Sequence, residues 1–306
     1  MENNQVVKDY LWLHLIVLIW GFTAILGVLI SLPSLEIVFF RTLMASLGLL
    51  IFLYVSNAAV KINFRDLMKF LFTGGLIAAH WVLFFLAAQV STVSVCLAGM
   101  ATCSLWTAMV EPALNGSKVI WYEMLLGILV VLGLYIIFRF ESSYVLGLTL
   151  AVASAVFGAF FMVINGRLTK KHNPYVITFY EMAGACILSL LLMPIYAKYY
   201  PGAELNLSPS LWDWFWLLVL SQVCTVFAFS ISVKLMKRLS AFSINLTTNM
   251  EPVYGILLAI IIFGEQEKMT GAFYIGTGII LLSVCFYPII HYIHKKKVTR
   301  HLRRLQ

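Results

Sequence analysis

The chain has 306 residues, 62% of them hydrophobic and 11% charged, with a formal net charge of +8 and a mean hydropathy of +0.95. A water-soluble domain of that make-up could not cover its apolar surface, so a soluble enzyme or binding module is excluded. The apolar runs stay unbroken for about 20 residues, enough for a helix rising about 1.5 Å per residue to cross about 30 Å of hydrocarbon and too long for barrel strands.

In chain order the apolar spans cover 11–30, 35–55, 67–87, 92–112, 120–138, 145–165, 174–196, 213–235, 240–263 and 270–293, which predicts an all-α integral membrane fold of ten transmembrane helices. Lipid offers no partner to an unpaired backbone group, so each span must be helical. The first span is longer than a signal-peptide core and no small-residue cleavage site follows it, so it is expected to stay as a helix. Tyr199 to Leu211, the longest connection, carries Pro201, Gly202 and Pro209 as an extramembrane loop should. Trp212, Trp214 and Trp216 then mark an interfacial belt at the start of the eighth span. Cys96, Cys103, Cys186, Cys224 and Cys285 lie inside spans without CxxC spacing. They read as small core residues, with no metal site and no cofactor expected.

Cytoplasmic loops retain positive charge, which makes orientation countable. With the N-terminus inside, seventeen of the 21 basic residues fall on the inner side, six of them in the tail Lys295 to Arg304. Only Arg139, Lys198 and Lys268 fall outside, and Arg41 lies within the second span. Both termini are therefore expected in the cytoplasm, and the net charge needs no nucleic-acid partner.

Ten spans with both ends on one side suggest two five-helix halves, inverted because each holds an odd number of spans. An ordered echo supports this. Trp20-Gly21 answers Phe157-Gly158, and Phe39-Phe40-Arg41 answers Phe179-Tyr180-Glu181. Ser91, Ser94, Leu97 and Gly127 align without a gap to Ser240, Ser243, Leu246 and Gly276. The expected division is one repeat over 10–140, a second over 141–293, and a basic tail over 294–306.

Several of these features together resemble one family. They are Trp20-Gly21, Arg41 within FFRTLMASL, and the stretch SINLTTNMEPVYGILLAIIIFGE, where Glu251-Pro252-Val253 precedes Gly264-Glu265, followed by Gly271, Gly276 and Gly278. The chain resembles the EamA-type members of the drug/metabolite transporter superfamily over roughly residues 10–290. The first half departs from the pattern: in CSLWTAMVEPALNGSKV, Cys103 stands near the usual proline and no Gly-Glu follows. The resemblance implies an inverted-repeat carrier with a central cavity in the plasma (bacterial inner) membrane, often an exporter of amino acids or other small amphipathic solutes.

Four ionisable residues lie deep in spans, where each charge costs at least about 2.5 kcal/mol and so demands a reason. By helical rise Arg41 lies roughly 9 Å from the outer face, Glu181 roughly 10 Å from the inner face and Glu251 roughly 16 Å deep, with His80 near the level of Arg41. Glu251 shares a helical stripe with Thr247, Tyr254 and Gly255, bordered by Asn245 and Asn249, and Pro252 leaves the Thr248 carbonyl without its helical donor. Glu251 reads either as a solute site or as a packing carboxyl. Arg41 offers a planar fork for a carboxylate or phosphate, or the structural partner of a buried glutamate. Glu181 reads as a proton-coupling carboxyl or as the partner of Asn165. His80 reads as a cavity hydrogen-bonding group or as a satisfied core residue. Trp20, Trp81, Trp106 and Tyr180 are candidates for an apolar cavity wall.

The functional expectation is a secondary-active transporter that exports small metabolites, such as amino acids or amphipathic analogues, by alternating access, with protons as the candidate coupling ion. Its partners are then a small-molecule substrate and the bilayer. A lipid-linked or nucleotide-sugar transporter of the same architecture is the alternative. An integral-membrane enzyme is disfavoured, since HExxH, GxSxG and Asp-rich metal motifs are absent from the sequence.

Overall fold

A computed structural model describes residues 2–116, 118, 120–140, 142–199, 205–248, 250–283, 286, 289–290 and 293. Among them ten helical spans follow the apolar periodicity. They are α1 Gln5–Leu29, α2 Ser34–Val55, α3 Phe64–Val90, α4 Val93–Asn115, α5 Trp121–Phe140, α6 Val145–Leu168, α7 Pro174–Tyr199, α8 Leu211–Leu235, α9 Ala241–Thr248 with Glu251–Phe263, and α10 Gly271–Ser283. The basic tail, Cys285 and Asn249 lie outside the described residues.

The packing has the symmetry of an inverted repeat. Helices α2 and α7 pack together, as do α4 and α9, each pair being its own mirror image. The other contacts between halves come in mirrored couples: α3 on α6 answers α8 on α1, and α3 on α7 answers α8 on α2. Helices α5 and α10 meet at Gly133 and Gly276, where a Cβ on either would lie 2.7 or 2.6 Å from the other's carbonyl oxygen. Glycine is required there because backbone meets backbone.

Three of the spans are interrupted, α1 at Phe22 between Glu2–Gly21 and Thr23–Leu29, and α9 and α4 at mid-length. Helix α9 stops at Thr248 and restarts at Glu251, with Pro252 in the new first turn, where its missing N–H is least costly. Helix α4 breaks at Ala101 and Thr102 between Val93–Met100 and Cys103–Asn115. The ungapped alignment of Ser94 with Ser243 places these breaks at equivalent positions, so Cys103 answers Pro252. Helix α8 departs differently: Val219–Phe229 is wound as a π-helix.

Polar clamps join the ends. On the face that carries the N-terminus, Arg238 grips Asp9 with Nε at 2.5 Å and Nη2 at 2.6 Å, and His172 Nε2 lies 3.1 Å from Asp66. On the opposite face Asp213 accepts from the Ser31 amide at 2.7 Å and hydroxyl at 2.8 Å. There Glu267 also caps α4, accepting from the Val93 and Ser94 amides at 2.9 Å and the Ser94 hydroxyl at 2.7 Å. The sequence pointed instead to Gly264-Glu265, yet Glu265 is exposed and paired with Lys268, whereas Glu267 is buried. Glu267→Ala strips the cap from three donors and is expected to cost about 2 kcal/mol. A melting curve of the detergent-purified protein checks this, and an unchanged midpoint refutes the clamp.

Candidate functional site

The middle of the bundle encloses a chamber lined from both halves. Its polar groups are Thr23 from α1, Arg41 from α2, His80 from α3, and Thr248 and Glu251 from the two segments of α9. Its walls are Trp20 from α1, Trp81 and Phe84 from α3, Phe161 from α6 and Phe229 from α8, with Met100, Cys103 and Met162 filling between them. The free volume is about 70 Å³.

Arg41 is held from three sides. Its Nε donates to Thr225 Oγ1 at 2.8 Å, and its Cζ lies 3.5 Å from the centroid of the Trp81 ring and 5.7 Å from that of Phe85. A desolvated cation over an indole gains about 2 kcal/mol, which offsets much of the insertion cost. Thr225 belongs to the π-helical stretch of α8, and its hydroxyl proton goes to the Leu220 carbonyl five residues back at 2.9 Å. The same stretch turns the Cys224 carbonyl to the Trp20 indole at 3.1 Å. Nothing in the apolar sequence of α8 signalled this winding, and it sets the positions of both Arg41 and Trp20.

Glu251 opens the second segment of α9, where the positive end of a 13-residue helix favours a carboxylate. Its side chain is 8% exposed, and no hydrogen bond to it is found among the described residues. No ion pair joins it to Arg41 either, since the described ion pairs are all elsewhere. Among the described residues the chamber therefore holds one cation with spare donors and one carboxyl with spare acceptors, with no ion pair between them.

Other expected residues are placed differently. The break in α9 ends the stripe drawn through Thr247, Glu251 and Tyr254. Thr248 and Glu251 face the chamber, whereas Tyr254 packs against Gly21 of α1, its Cβ 3.1 Å from where a Cβ on Gly21 would stand. Glu181 is fully buried outside the chamber, accepting from Asn165 Nδ2 at 3.3 Å, because the close crossing of α3 and α7 seals it in. Its Oε1 and Asn165 Oδ1 have no hydrogen-bond partner among the described residues. Trp106 bonds Thr102 Oγ1 at 3.2 Å and Tyr180 bonds the Val60 carbonyl at 3.0 Å, so neither ring forms the wall. Among the described residues no three His, Cys, Asp or Glu side chains gather in a metal-binding cluster.

Comparison with known proteins decides the family. The EamA-like transporter family model matches residues 7–139 and again residues 145–287. The chain belongs to the EamA-like transporter family. The two matches correspond to the two five-helix halves of the bundle, and EamA-like membership makes the chain a multi-pass membrane protein of a transporter family. The pseudopaline exporters CntI of two Pseudomonas aeruginosa strains are each 32% identical to it over 167 residues. Those alignments span 53% of this chain and 57% of each relative's length. A solved crystal structure shares the fold with a TM-score of 0.67 at 16% identity, covering 93% of this chain and 98% of its own.

Proposed function

We propose that the chain is a secondary-active carrier that exports small zwitterionic, amphipathic metabolites by alternating access. The observation that carries this reading is the chamber holding Arg41 and Glu251 unpaired. A solute with a carboxylate and an ammonium completes both: the guanidinium takes the carboxylate, Glu251 takes the ammonium, and the aromatic walls take the remaining carbon. The exporter relatives support the outward direction, and the excess of inner basic residues supports termini in the cytoplasm of a bacterial inner membrane. The working halves are 10–140 and 141–293. A nucleotide-sugar or lipid-phosphate cargo fits less well, because Arg41 is the one cation among the described lining residues.

Protons are the proposed coupling ion, taken up at Glu181. A proton on Glu181 would turn Oε1, a buried acceptor with no hydrogen-bond partner among the described residues, into a donor and remove the charge from a fully buried carboxylate. Of the charged groups on the helices packed around it, Asp66 is engaged with Lys69 and His172, and Arg41 with Thr225 and Trp81; Glu36 on α2 accepts from the Asn206 amide, and Arg65 lies on α3 and Lys234 on α8.

Proteoliposomes test the reading with L-phenylalanine, its methyl ester and its N-acetyl form. Saturable flux is expected for the parent amino acid, with both blocked forms poorly carried. An imposed pH gradient should accelerate the flux, and Glu181→Gln should abolish that acceleration while leaving exchange at equal pH intact. Equal transport of all three solutes would overturn the zwitterion reading. Full acceleration in Glu181→Gln would overturn the coupling.

A further inference from the structure

Among the described residues His80 makes two hydrogen-bond contacts through Nδ1 and none through Nε2. Its Nδ1 lies 2.9 Å from the Ser154 carbonyl oxygen and 2.8 Å from Ser154 Oγ. A carbonyl oxygen only accepts, so Nδ1 must carry the hydrogen. The serine hydroxyl cannot supply one instead, because its single proton is committed to the His80 carbonyl at 2.7 Å. A neutral imidazole with hydrogen on Nδ1 has a bare lone pair on Nε2. That nitrogen has no partner among the described residues and is not among the buried atoms lacking one, and His80 lines the chamber. The lone pair is therefore available to the chamber that Arg41 and Glu251 also line.

Resting on the zwitterion reading, we infer that His80 is a specificity-determining residue whose Nε2 accepts a hydrogen bond from the solute's amino group, with Ser154 as the positioning residue that fixes the ring's tautomer. Glu251 attracts any cation, including one with no N–H. His80 asks a narrower question: whether the cation has a hydrogen to give. Primary and secondary amines satisfy it, whereas a quaternary ammonium leaves a buried acceptor unpaired, and sites built to pair a donor reject ligands that lack one.

The ring is locked apart from this bond. Phe161 packs on it with centroids 5.3 Å apart, and a Cβ on Gly158 would stand 3.5 Å from both Cε1 and Nδ1. The ring therefore lies at ordinary contact distance from α6, where Ser154 reaches it. The halves share this arrangement unequally: the ring comes from α3 and its lock from α6, so the acceptor is aimed only while the two repeats are engaged.

The test compares L-phenylalanine with its N,N,N-trimethyl betaine as ligands of the full chain in detergent, by equilibrium binding. The unaltered protein is expected to prefer the amino acid by at least about tenfold, which is about 1.4 kcal/mol. His80→Phe keeps an aromatic ring of at least equal bulk and should lose the preference to within about twofold while still binding the betaine. Ser154→Ala should lower the preference partway by freeing the tautomer. A preference kept in full by His80→Phe would assign the discrimination to bulk and overturn the inference. Nitrogen-15 NMR of the histidine ring decides independently of either ligand: hydrogen on Nδ1 and a bare Nε2 are expected, and the reverse overturns it. A protein that binds neither compound defeats the zwitterion reading, with the NMR result still judging His80.

Discussion

Arg41→Met is expected to lower zwitterion flux by on the order of 100-fold, the equivalent of about 2.7 kcal/mol and within the range for removing one partner of a desolvated charged hydrogen bond. Methionine fills a similar volume and can rest on Trp81, so the bundle should assemble. The loss is specific to one end of the solute. Arg41→Met should still bind phenethylamine, which needs only Glu251, and should fail with 3-phenylpropionate. Glu251→Gln should fall by a similar factor with the opposite selectivity, because the amide keeps the shape and one acceptor but gives up the charge that faces the ammonium. Reconstituted flux of the three solutes through both variants measures this. Equal loss of all three in each variant would show that the two charges serve the chamber's integrity and do not divide the solute between them.

Gly74→Ala should be the most disruptive small substitution in the bundle. A Cβ there would lie 2.3 Å from the carbonyl oxygen of Glu181 and 3.0 Å from the amide nitrogen of Ala185. Both obstacles are backbone, so no rotamer change relieves them and α3 must move away from α7. The reciprocal notch shows that the crossing is tight from both sides, since a Cβ on Gly184 would lie 2.8 Å from Leu71 Cα. Overpacking of this kind costs up to about 3 kcal/mol, or roughly 10 °C in melting temperature. Gly271→Ala is the control, because nothing stands within 4 Å of a Cβ at that position. Equal melting temperatures for the two variants would refute the crossing.

The sequence carried the architecture in its clearest signals. Apolar runs of bilayer length placed most of the helices to within a few residues, and the EamA-like model matches twice, over 7–139 and 145–287. Arg41, His80, Glu251, Trp20, Trp81 and Thr248 were legible as chamber candidates because polar or indole groups at mid-depth stand out against hydrocarbon, and the structure lines one space with all six. Glu181 raised the same signal and went elsewhere. Depth is a property of position along a helix, whereas facing depends on the rotation of α7 against α3, which the Gly74 and Gly184 notches set across a long stretch of chain. Thr225, Ser154 and the break in α4 were missed for a related reason. A threonine or serine in an apolar helix ordinarily bonds its own preceding turn, so neither type advertises that it will hold a guanidinium or an imidazole from another helix. Helix α4 carries Cys103 where α9 carries the Pro252 that announced its break, so its interruption becomes visible only when the two repeats are laid over each other.

The paired interruptions bear on how such a bundle can move. An intact helix resists bending because each angle opened in it strains a ladder of hydrogen bonds, and lipid offers nothing to replace them. In α4 and α9 the regular ladder is interrupted at matching positions of the two repeats, beside the chamber. Under the alternating access proposed above, bending costs least at those two points, and the inverted arrangement puts one of them in each half.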